Sequence, residues 1–437
     1  MFDAFRMPSW RGLSRGAILS LGIRVVGTGL LYGLHVALAR WMGSGEYGTY
    51  VFAISWTSVL AQFGKMGLPS AALRFVPTYH TNDERAWLYG FLSTGRRLVL
   101  AGTSGLAVLG IAVVLLVPTG TWPLAALLFG IALAPLMGLF SFETEVLRAL
   151  NRYGEAYAPN YVLRPLAIGG GTGGLLWAVG VVTAESVLLW TGGVFLLLIL
   201  LQQWGVRRTL PARPSALQRT PWRWLRVAGP LLLVSGFQLI LRKTDLFLIG
   251  MLVGAEEVGV YFAAMRTAQV VTFVSFAVDA VAAPEIARRY HRDDAPLQAT
   301  VSRLAHWYFW PTLGAAGGVA LLGAPILSLF GTAFTAGAPL MLVLMVALVV
   351  GAAMGPQLYL LSLTGHERSS ALIFGVCSLG NVGLNLVGIA LYGPMGAALA
   401  TATTLIVRSL WVRRRVIRMT GIRPSIWAAL PLQSHRP

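Results

Sequence analysis

Long apolar segments alternate with short polar segments along almost the whole chain. A helix needs about 20 apolar residues to cross a hydrocarbon core of about 30 Å. These segments lack the strict apolar–polar alternation of a strand, and in lipid a helix satisfies its own backbone groups. The pattern therefore predicts an all-α, polytopic membrane protein. We expect twelve transmembrane helices, running roughly over residues 17–40, 49–73, 98–118, 123–147, 160–182, 186–205, 225–251, 258–284, 307–330, 338–364, 369–391 and 394–412.

One short motif occurs twice, 211 residues apart. Residues 43–80 and 254–291, aligned without gaps, share ten identities in 38 positions. The identities include Gly43/Gly254, Glu46/Glu257, Gly48/Gly259, Tyr50/Tyr261, Ala53/Ala264, Tyr79/Tyr290 and His80/His291. The alternative is that both segments are merely similar apolar helices, but shared Glu, Gly and Tyr-His favour an internal repeat. In each copy we expect glycine to allow a turn and tyrosine to anchor the helix at the headgroups.

The repeat divides the chain into two halves. Each copy follows the first helix of a half, and six helices per half is an even number, so both halves enter the membrane from the same side. We therefore expect two six-helix bundles in a parallel repeat, residues 1–205 and 225–437, joined by a basic cytoplasmic linker at 206–224. Such bundles enclose a central cavity and alternate its access by rocking. The second bundle would carry a basic cytoplasmic tail.

The charge distribution sets the orientation. The chain has 34 Lys and Arg against 16 Asp and Glu, and a formal charge of +18. Of the basic residues, 26 fall in the segments that an even span count places on one side, whereas Arg40 alone falls on the other. The positive-inside rule then places both termini in the cytoplasm. The charge is thus explained by topology and by attraction to anionic lipid headgroups, and a nucleic-acid partner is not expected.

Seven basic residues lie inside the expected spans, where ionisable groups are costly and are functional candidates. They are Arg24, Lys65, Arg164, Arg242, Lys243, Arg266 and Arg408. Only four acids lie at similar depth: Glu143, Glu145, Asp245 and Asp279. A net-cationic interior suits an anionic substrate such as a phosphate, because arginine offers it planar, permanently charged donors. The alternative for Arg24, Arg164 and Arg408 is that they reach back to the cytoplasmic interface.

Several of these residues share a helix face with other polar residues. In the seventh expected span Gln238, Arg242 and Asp245 form one stripe, and Lys243 points about 100° away. The other sets are Arg24, Thr28 and His35; Ser58, Gln62 and Lys65; Arg266 with Gln269; and Asn381 with Asn385. We expect them to line the cavity, with Arg24, Lys65, Arg242, Lys243 and Arg266 binding substrate. Asn381 and Asn385 could instead join helices by hydrogen bonds.

The sequence contains no motif typical of an enzyme. It has no nucleophile elbow, zinc-protease motif, phosphate-binding loop or cysteine–histidine metal spacing. Its one cysteine, Cys377, lies in an apolar segment. We therefore expect no catalytic residue, no metal site and no cofactor.

Six stretches carry a family resemblance. They are ARWMGSGEYGTYVFAI, GLPSAALRFVP, TDLFLIGMLVGAEEVGVYFAAMR, APEIARRYH, LTGHERSS and NLVGIALYGPMGAALATATT. Over roughly residues 15–415 the chain resembles the polysaccharide, or lipid-linked oligosaccharide, flippase family. That family's superfamily also includes multidrug extruders and lipid II flippases.

The resemblance implies a transporter of a polyprenyl-diphosphate-linked glycan. It would move this lipid to the outer leaflet of a bacterial or archaeal plasma membrane, together with other polysaccharide-assembly proteins. Proton or sodium coupling is implied too, with Asp245 as the coupling carboxylate and Arg242 as its competing partner. Two alternatives stay open, namely a multidrug or metabolite extruder and a non-transporting scaffold of a glycan-assembly complex.

Overall fold

The computed structural model describes residues 15–116, 122–212, 214–290, 297–357, 360–361 and 367–429. Within these ranges every regular element is a helix, so the all-α prediction is confirmed. Ten described segments are long and apolar enough to cross a membrane. The contacts divide the chain into two compact units, Ser14–Phe262 and Ala263–Pro437.

The first unit contains the helices that position most of the candidate residues. They are α1 (Arg15–Gly64), α2 (Leu68–Thr81), α3 (Arg85–Leu116), α4 (Leu124–Ala132), α5 (Ala134–Ala149), α6 (Tyr153–Ala158), a π-helical turn (Pro159–Leu163), α7 (Arg164–Val179), α8 (Ala184–Thr209), α9 (Pro221–Leu252) and the first half of α10 (Ala255–Gln269).

Helix α1 covers two of the expected spans. At about 1.5 Å per residue its 50 residues would extend for about 75 Å, more than twice the hydrocarbon thickness. Its backbone leaves the helical region at Gly43, with φ 78° and ψ 174°. The segments before and after Gly43 correspond to the spans expected at 17–40 and 49–73. One of the ten candidate segments, Gly22–Gly64, therefore covers the larger part of both spans.

The second expected span is not continuous. Helix α1 ends at Gly64 and α2 begins at Leu68, with left-handed backbone at Met66 (φ 52°) and Gly67 (φ 72°) between them. A Cβ on Gly67 would collide with the backbone carbonyl of Ala228 in α9. The expectation of one helix over 49–73 is therefore wrong, because this close approach requires a break where only glycine fits.

A second irregularity precedes α7. The turn Pro159–Leu163 is π-helical, and it follows α6 directly. Tyr161 in this turn packs so closely on Gly27 of α1 that a Cβ there would collide with it. The extra residue in the turn thus lets the start of the expected fifth span rest on α1.

The second unit is also helical throughout its described part. It contains the remainder of α10, a 3₁₀ turn (Val270–Thr272), α11 (Phe273–Tyr290), α12 (Leu297–Leu321), α13 (Gly323–Ser328), a 3₁₀ turn (Thr332–Gly337), α14 (Ala338–Ala353), α15 (Glu367–Tyr392), α16 (Pro394–Thr420) and a 3₁₀ turn (Ile426–Ala429). The ninth expected span, 307–330, falls on α12 and α13, which are not among the ten candidate segments. The count of twelve helices and their grouping into two repeat-related bundles stay predictions.

The boundary between the compact units lies at Phe262, beyond the linker expected at 206–224. The reason is that α9 packs along α1 and α2 and therefore belongs to the first unit by its contacts. Trp224 near the start of α9 is fully buried, donates from Nε1 to the Tyr79 hydroxyl over 3.1 Å and meets Phe91 edge-on. The expected bundle boundaries, 1–205 and 225–437, remain a separate prediction.

Replacement of Trp224 tests how α9 is held. Trp224→Ala should lower the free energy of unfolding by about 3–5 kcal/mol, as for other large buried aromatic residues. Trp222→Ala is the matched control, because Trp222 is 81% exposed two residues earlier. The measurement is the temperature at which half of the detergent-purified protein loses its monodisperse peak on size-exclusion chromatography. Equal shifts for both variants would contradict the packing role of Trp224.

Candidate functional site

Helix α9 lies antiparallel against the second half of α1 and against α2. Contacts follow one another along this seam, from Gly48 with Gly259 at one end, through Gln62 with Ser235, to Gly67 with Ala228. We call the surface formed by residues 44–67 and 228–259 the seam. The motif that occurs twice in the sequence meets itself at the first of these ends, which the charge pattern predicts to be extracellular.

The two repeated turns contact each other reciprocally. A Cβ on Gly48 would collide with the Ala255 carbonyl, and a Cβ on Gly259 would lie 2.5 Å from the Ser44 carbonyl oxygen. Ser44 and Ala255 are equivalent at the offset of 211, as are Gly48 and Gly259. Exchanging the two copies therefore preserves the contact, which is the property of a two-fold relation. Ser44 also donates to Glu256 over 2.9 Å.

Below this contact an aromatic cluster fills the seam. Phe52 stacks on Trp122 with ring centroids 4.0 Å apart, and Trp56 lies 4.6 Å from Phe247. Trp122 Nε1 donates to the Gly250 carbonyl over 3.1 Å. None of these residues is a sequence-predicted site residue, because an aromatic residue in an apolar span has no distinguishing pattern.

Lys243 extends from α9 to α1. Its Nζ donates to Ser55 Oγ over 3.1 Å and lies 5.9 Å from the ring centroid of Phe262. Phe262 in turn meets the ring of His35 at 5.1 Å, and His35 Nδ1 lies 3.2 Å from the hydroxyl oxygen of Tyr47. The structure thus brings two predicted residues, Lys243 of the seam and His35 beside it, together through Phe262.

Asp245 is almost completely buried, with 2% of its surface exposed. Its Oδ2 accepts a hydrogen bond of 2.8 Å from the Tyr261 hydroxyl, and its Oδ1 accepts one of 2.9 Å from the Leu246 N–H. The nearby cation that acts on this carboxylate is Lys243. Tyr261 is fully buried, so the headgroup anchoring expected for it is wrong. The repeated tyrosine instead holds the carboxylate expected to bind the coupling ion.

Arg242 differs from Asp245 although the two residues were expected on one stripe. Arg242 is exposed, and within the part of the chain that the structure describes it makes no hydrogen bond or ion pair. Gln238, one turn earlier, is half-buried. The Asp245 carboxylate reaches Tyr261 of α10, whereas the Arg242 side chain is exposed. Its assignment to substrate remains a prediction.

The polar residues of α1 contact different neighbours. Gln62 Nε2 donates to Ser235 Oγ in the seam over 2.7 Å, whereas Lys65 Nζ donates to Ser141 Oγ of α5 over 3.1 Å. The Ser58 hydroxyl lies 3.9 Å from Met137 Sδ of α5, so Ser58 and Lys65 face α5 whereas Gln62 faces α9. The stripe Ser58, Gln62 and Lys65 therefore does not form one face in the structure.

Arg24 faces α6 in the first unit. Its Nη2 donates to the Tyr157 hydroxyl over 2.7 Å, and its guanidinium carbon lies 4.5 Å from the centre of that ring. The Thr28 hydroxyl donates to the Arg24 carbonyl over 2.7 Å. Arg24 therefore has an aromatic neighbour, Tyr157, that no sequence pattern identifies.

Buried charge in α5 is paired. Glu143 is fully buried and accepts two hydrogen bonds from Arg96, of 2.6 and 2.9 Å. Arg96 lies within α3, although the sequence had placed it in a cytoplasmic loop. Glu145 pairs with Arg148. Glu143 and Glu145 are therefore each paired with an arginine.

Four predicted residues lie in the second unit. Arg266 and Gln269 are half-buried in α10. Asn381 and Asn385 of α15 are fully buried, and their amides donate to the Thr404 hydroxyl over 3.1 Å and to the Asn381 carbonyl over 2.9 Å. The first of these bonds joins α15 to α16, as expected of residues that hold helices together. The Oδ1 atoms of Asn381 and Asn385 have no partner among the described residues.

Comparison with known families identifies the chain. A family model described as polysaccharide biosynthesis protein matches residues 13–289, which is more than half of the 437 residues and includes the first copy of the repeat and residues 254–289 of the second. The chain belongs to this family. The family resemblance seen in the sequence is thereby confirmed.

Solved structures place this polysaccharide biosynthesis family member in a known fold. A lipid II flippase, MurJ, in an inward closed conformation is 17% identical with a TM-score of 0.73, covering 91% of this chain and 87% of that chain. A multidrug resistance MATE family transporter of the MOP superfamily, inward-facing, is 14% identical with a TM-score of 0.70, covering 93% and 99%. A MOP superfamily transporter from Pyrococcus furiosus is 14% identical with a TM-score of 0.57, covering 92% and 96%.

These similarities establish the fold of a multi-pass membrane transporter. At such low identity they show the fold alone. A comparison with curated proteins finds no match.

Removal of the Tyr261 hydroxyl tests the buried carboxylate. Tyr261→Phe leaves Asp245 with one hydrogen-bond donor fewer, so we expect about 1–3 kcal/mol less stability and a lower unfolding temperature in detergent. The control is Tyr392→Phe, because Tyr392 is exposed. If Asp245 is replaced by Asn first, Tyr261→Phe should cost less, and a cost that stays the same would exclude the interaction.

Proposed function

We propose that the protein is a flippase that moves a polyprenyl-diphosphate-linked oligosaccharide from the inner to the outer leaflet of a bacterial or archaeal plasma membrane. The observation that carries the proposal is the match of residues 13–289 to the polysaccharide biosynthesis family. The excess of basic residues at membrane depth supports an anionic substrate. The fold similarity to a lipid II flippase is in line with it.

In this proposal the basic residues bind the diphosphate, and the lipid tail stays in the bilayer. Arg242 suits this role best, because it is exposed on α9 and unpaired among the described residues. Arg24 and Lys65 would contribute from the first unit, and Arg266 stays a predicted member of the set. Lys243 is bonded to Ser55, so we assign it to holding the seam.

Transport requires the seam to open at the predicted outer end. The contact between Gly48 and Gly259 closes this end by main chain against main chain. In the proposed cycle the contact separates to release the glycan and closes again to reset the protein. Both termini lie in the cytoplasm in this scheme.

Coupling to a proton or sodium gradient is assigned to Asp245. Its carboxylate is bonded to Tyr261, which belongs to the same repeated turn as Gly259, and it lies near Lys243 of the seam. Binding of a cation to Asp245 would compete with these bonds and so loosen the seam. Other polysaccharide-assembly proteins are proposed as partners on the family's name alone.

An extruder of drugs or metabolites is the second candidate, because the fold is shared with multidrug resistance transporters. The cationic interior disfavours organic cations as its substrate. A non-transporting scaffold would leave the exposed Arg242 without a role. The candidates differ in the ligand bound and in whether it changes leaflet.

Native mass spectrometry of the protein, gently extracted from its own membrane, tests the substrate. We expect a bound polyprenyl-diphosphate glycan, retained about tenfold less by Arg242→Ala because a charge-assisted phosphate contact is lost. Arg208→Ala is the control, since Arg208 stacks on Trp204 outside the seam. Absence of such a lipid, together with saturable binding of an organic cation, would favour the extruder.

Enlargement of Gly48 tests the outer closure. Gly48→Val should prevent closure and abolish transport, and it should raise labelling of Ser44→Cys by an impermeant maleimide in intact cells. The background is small because the native Cys377 is buried. Gly45→Val is the matched control, because a Cβ at Gly45 meets no atom within 4 Å. Equal labelling in the two variants would refute the assignment of this contact as the closing one.

Replacement of Asp245 tests the coupling. Asp245→Asn keeps the shape of the side chain but removes its charge, so transport into the outer leaflet should no longer respond to an imposed proton or sodium gradient. Substrate binding, measured by native mass spectrometry, should persist. Transport that stays gradient-dependent in this variant would reject Asp245 as the coupling residue.

A further inference from the structure

We propose that Arg24, Arg148 and Tyr157 form a phosphate-binding site for an anionic lipid in the first compact unit, separate from Arg242. Its assignment to the diphosphate of the transported lipid rests on the proposed function. The site itself rests on the geometry of these three side chains.

Two guanidinium groups lie close to the same aromatic ring. The guanidinium carbon of Arg24 lies 4.5 Å from the centroid of the Tyr157 ring, and that of Arg148 lies 5.6 Å from it. Arg24 also donates to the Tyr157 hydroxyl. Both guanidinium groups thus lie in the neighbourhood of this ring, and an anion bound beside the ring would be attracted by both positive charges.

The nearby carboxylates do not neutralise the pair. Glu145 is bonded to Arg148, while Arg24 has no ion pair within the described part of the chain. One positive charge is therefore left over. In addition, Nε of Arg24 and Nε of Arg148 are buried and have no hydrogen-bond partner among the described residues. Buried donors without partners are costly and rare, and these two belong to neighbouring groups that suit phosphate oxygens.

The backbone holds the ring in this position. Tyr157 is the penultimate residue of the short helix α6, which leads directly into the π-helical turn, and Tyr161 of that turn packs on Gly27 of α1. Gly27 lies one turn after Arg24. The close contact of Tyr161 with Gly27 thus keeps Tyr157 beside Arg24 and reduces the freedom that phosphate binding would otherwise have to remove.

The place of the site indicates a lipid headgroup. Arg148 lies at the end of α5, and the turn Leu150–Arg152 leads from it into α6. The charge pattern predicts this turn on the cytoplasmic side, where phosphates of the inner leaflet lie. A phosphate offers several acceptor oxygens, enough for the two free Nε–H groups and the tyrosine hydroxyl together.

The test is ligand binding to the full-length protein in detergent. The ligands are farnesyl diphosphate, dioleoyl phosphatidylglycerol and farnesol, which supply a prenyl diphosphate, a phospholipid headgroup and a prenyl chain without phosphate. The variants are Arg148→Ala and Tyr157→Phe. Arg152→Ala is the matched control, because Arg152 carries the same charge nearby but is exposed and paired with Glu155.

We expect Arg148→Ala to weaken farnesyl diphosphate binding about tenfold, the usual scale for a lost charge-assisted contact. Tyr157→Phe should weaken it by a smaller factor, and Arg152→Ala should leave it unchanged. Farnesol binding should be the same in all four proteins. Arg148→Lys retains the charge but not the planar donor group, so it should also bind farnesyl diphosphate weakly. Because a lysine can still pair with Glu145, weak binding in this variant would not result from a folding defect caused by an unpaired Glu145.

Other outcomes separate this site from the proposed function. Equal losses of farnesyl diphosphate binding in Arg148→Ala and Arg152→Ala, or no loss in either variant, would overturn the site. Arg24 and Arg148 would then simply extend to the membrane interface. A loss in Arg242→Ala but not in Arg148→Ala would overturn the site while the flippase proposal stands. If Arg148→Ala weakens phosphatidylglycerol binding and wild type does not bind farnesyl diphosphate, the phosphate site stands and the flippase proposal loses its support.

Discussion

The closest approach between the two repeated turns is a contact of main chain with main chain, and only glycine permits it. Because Gly48 and Gly259 have no side chains, α1 and α10 meet at the distance of their backbones. A further glycine, Gly67, allows the same approach to α9 at the other end of the seam. Between these ends the helices are held close enough for Lys243 to reach Ser55. The polar contacts of the seam therefore depend on glycine more than on any charge.

Much of this could be predicted from the sequence, and the limits have physical causes. Long apolar segments identify the spans, because a helix must present apolar residues over the whole thickness of the hydrocarbon core. The positive-inside rule then predicts their orientation. The repeat pointed to Gly48 and Gly259, because both copies have glycine at this position and a side chain there would collide with the backbone of the other copy. Tyr157 could not be found, since its role depends on a π-helical turn without a sequence signature. Arg96 was assigned to a loop because its partner, Glu143, lies 47 residues further along the chain.

The same contacts show why one-dimensional stripes mislead. Helical period correctly grouped Gln238, Arg242 and Asp245 on neighbouring positions of α9, but facing depends on what packs beside the helix. Asp245 meets Tyr261 and is buried, whereas Arg242 is exposed. A buried charge with hydrogen bonds contributes to structure or to ion binding, whereas an exposed arginine in a membrane span needs a ligand or a headgroup. The difference in burial thus distinguishes Asp245 from Arg242, which the helical period alone had placed in one polar stripe.

Two irregular backbone segments of the first unit, the break after Gly64 and the π-helical turn before α7, lie beside basic residues. The break between α1 and α2 follows Lys65, and the π-helical turn follows Tyr157, the neighbour of Arg24 and Arg148. Irregular backbone is tolerated at membrane depth only where protein or water satisfies the freed groups. A regular helix would have been the cheaper solution at both places. The chain departs from a regular helix where cations and aromatic rings lie together, and the proposed phosphate site at Arg24, Arg148 and Tyr157 is built on one of these departures.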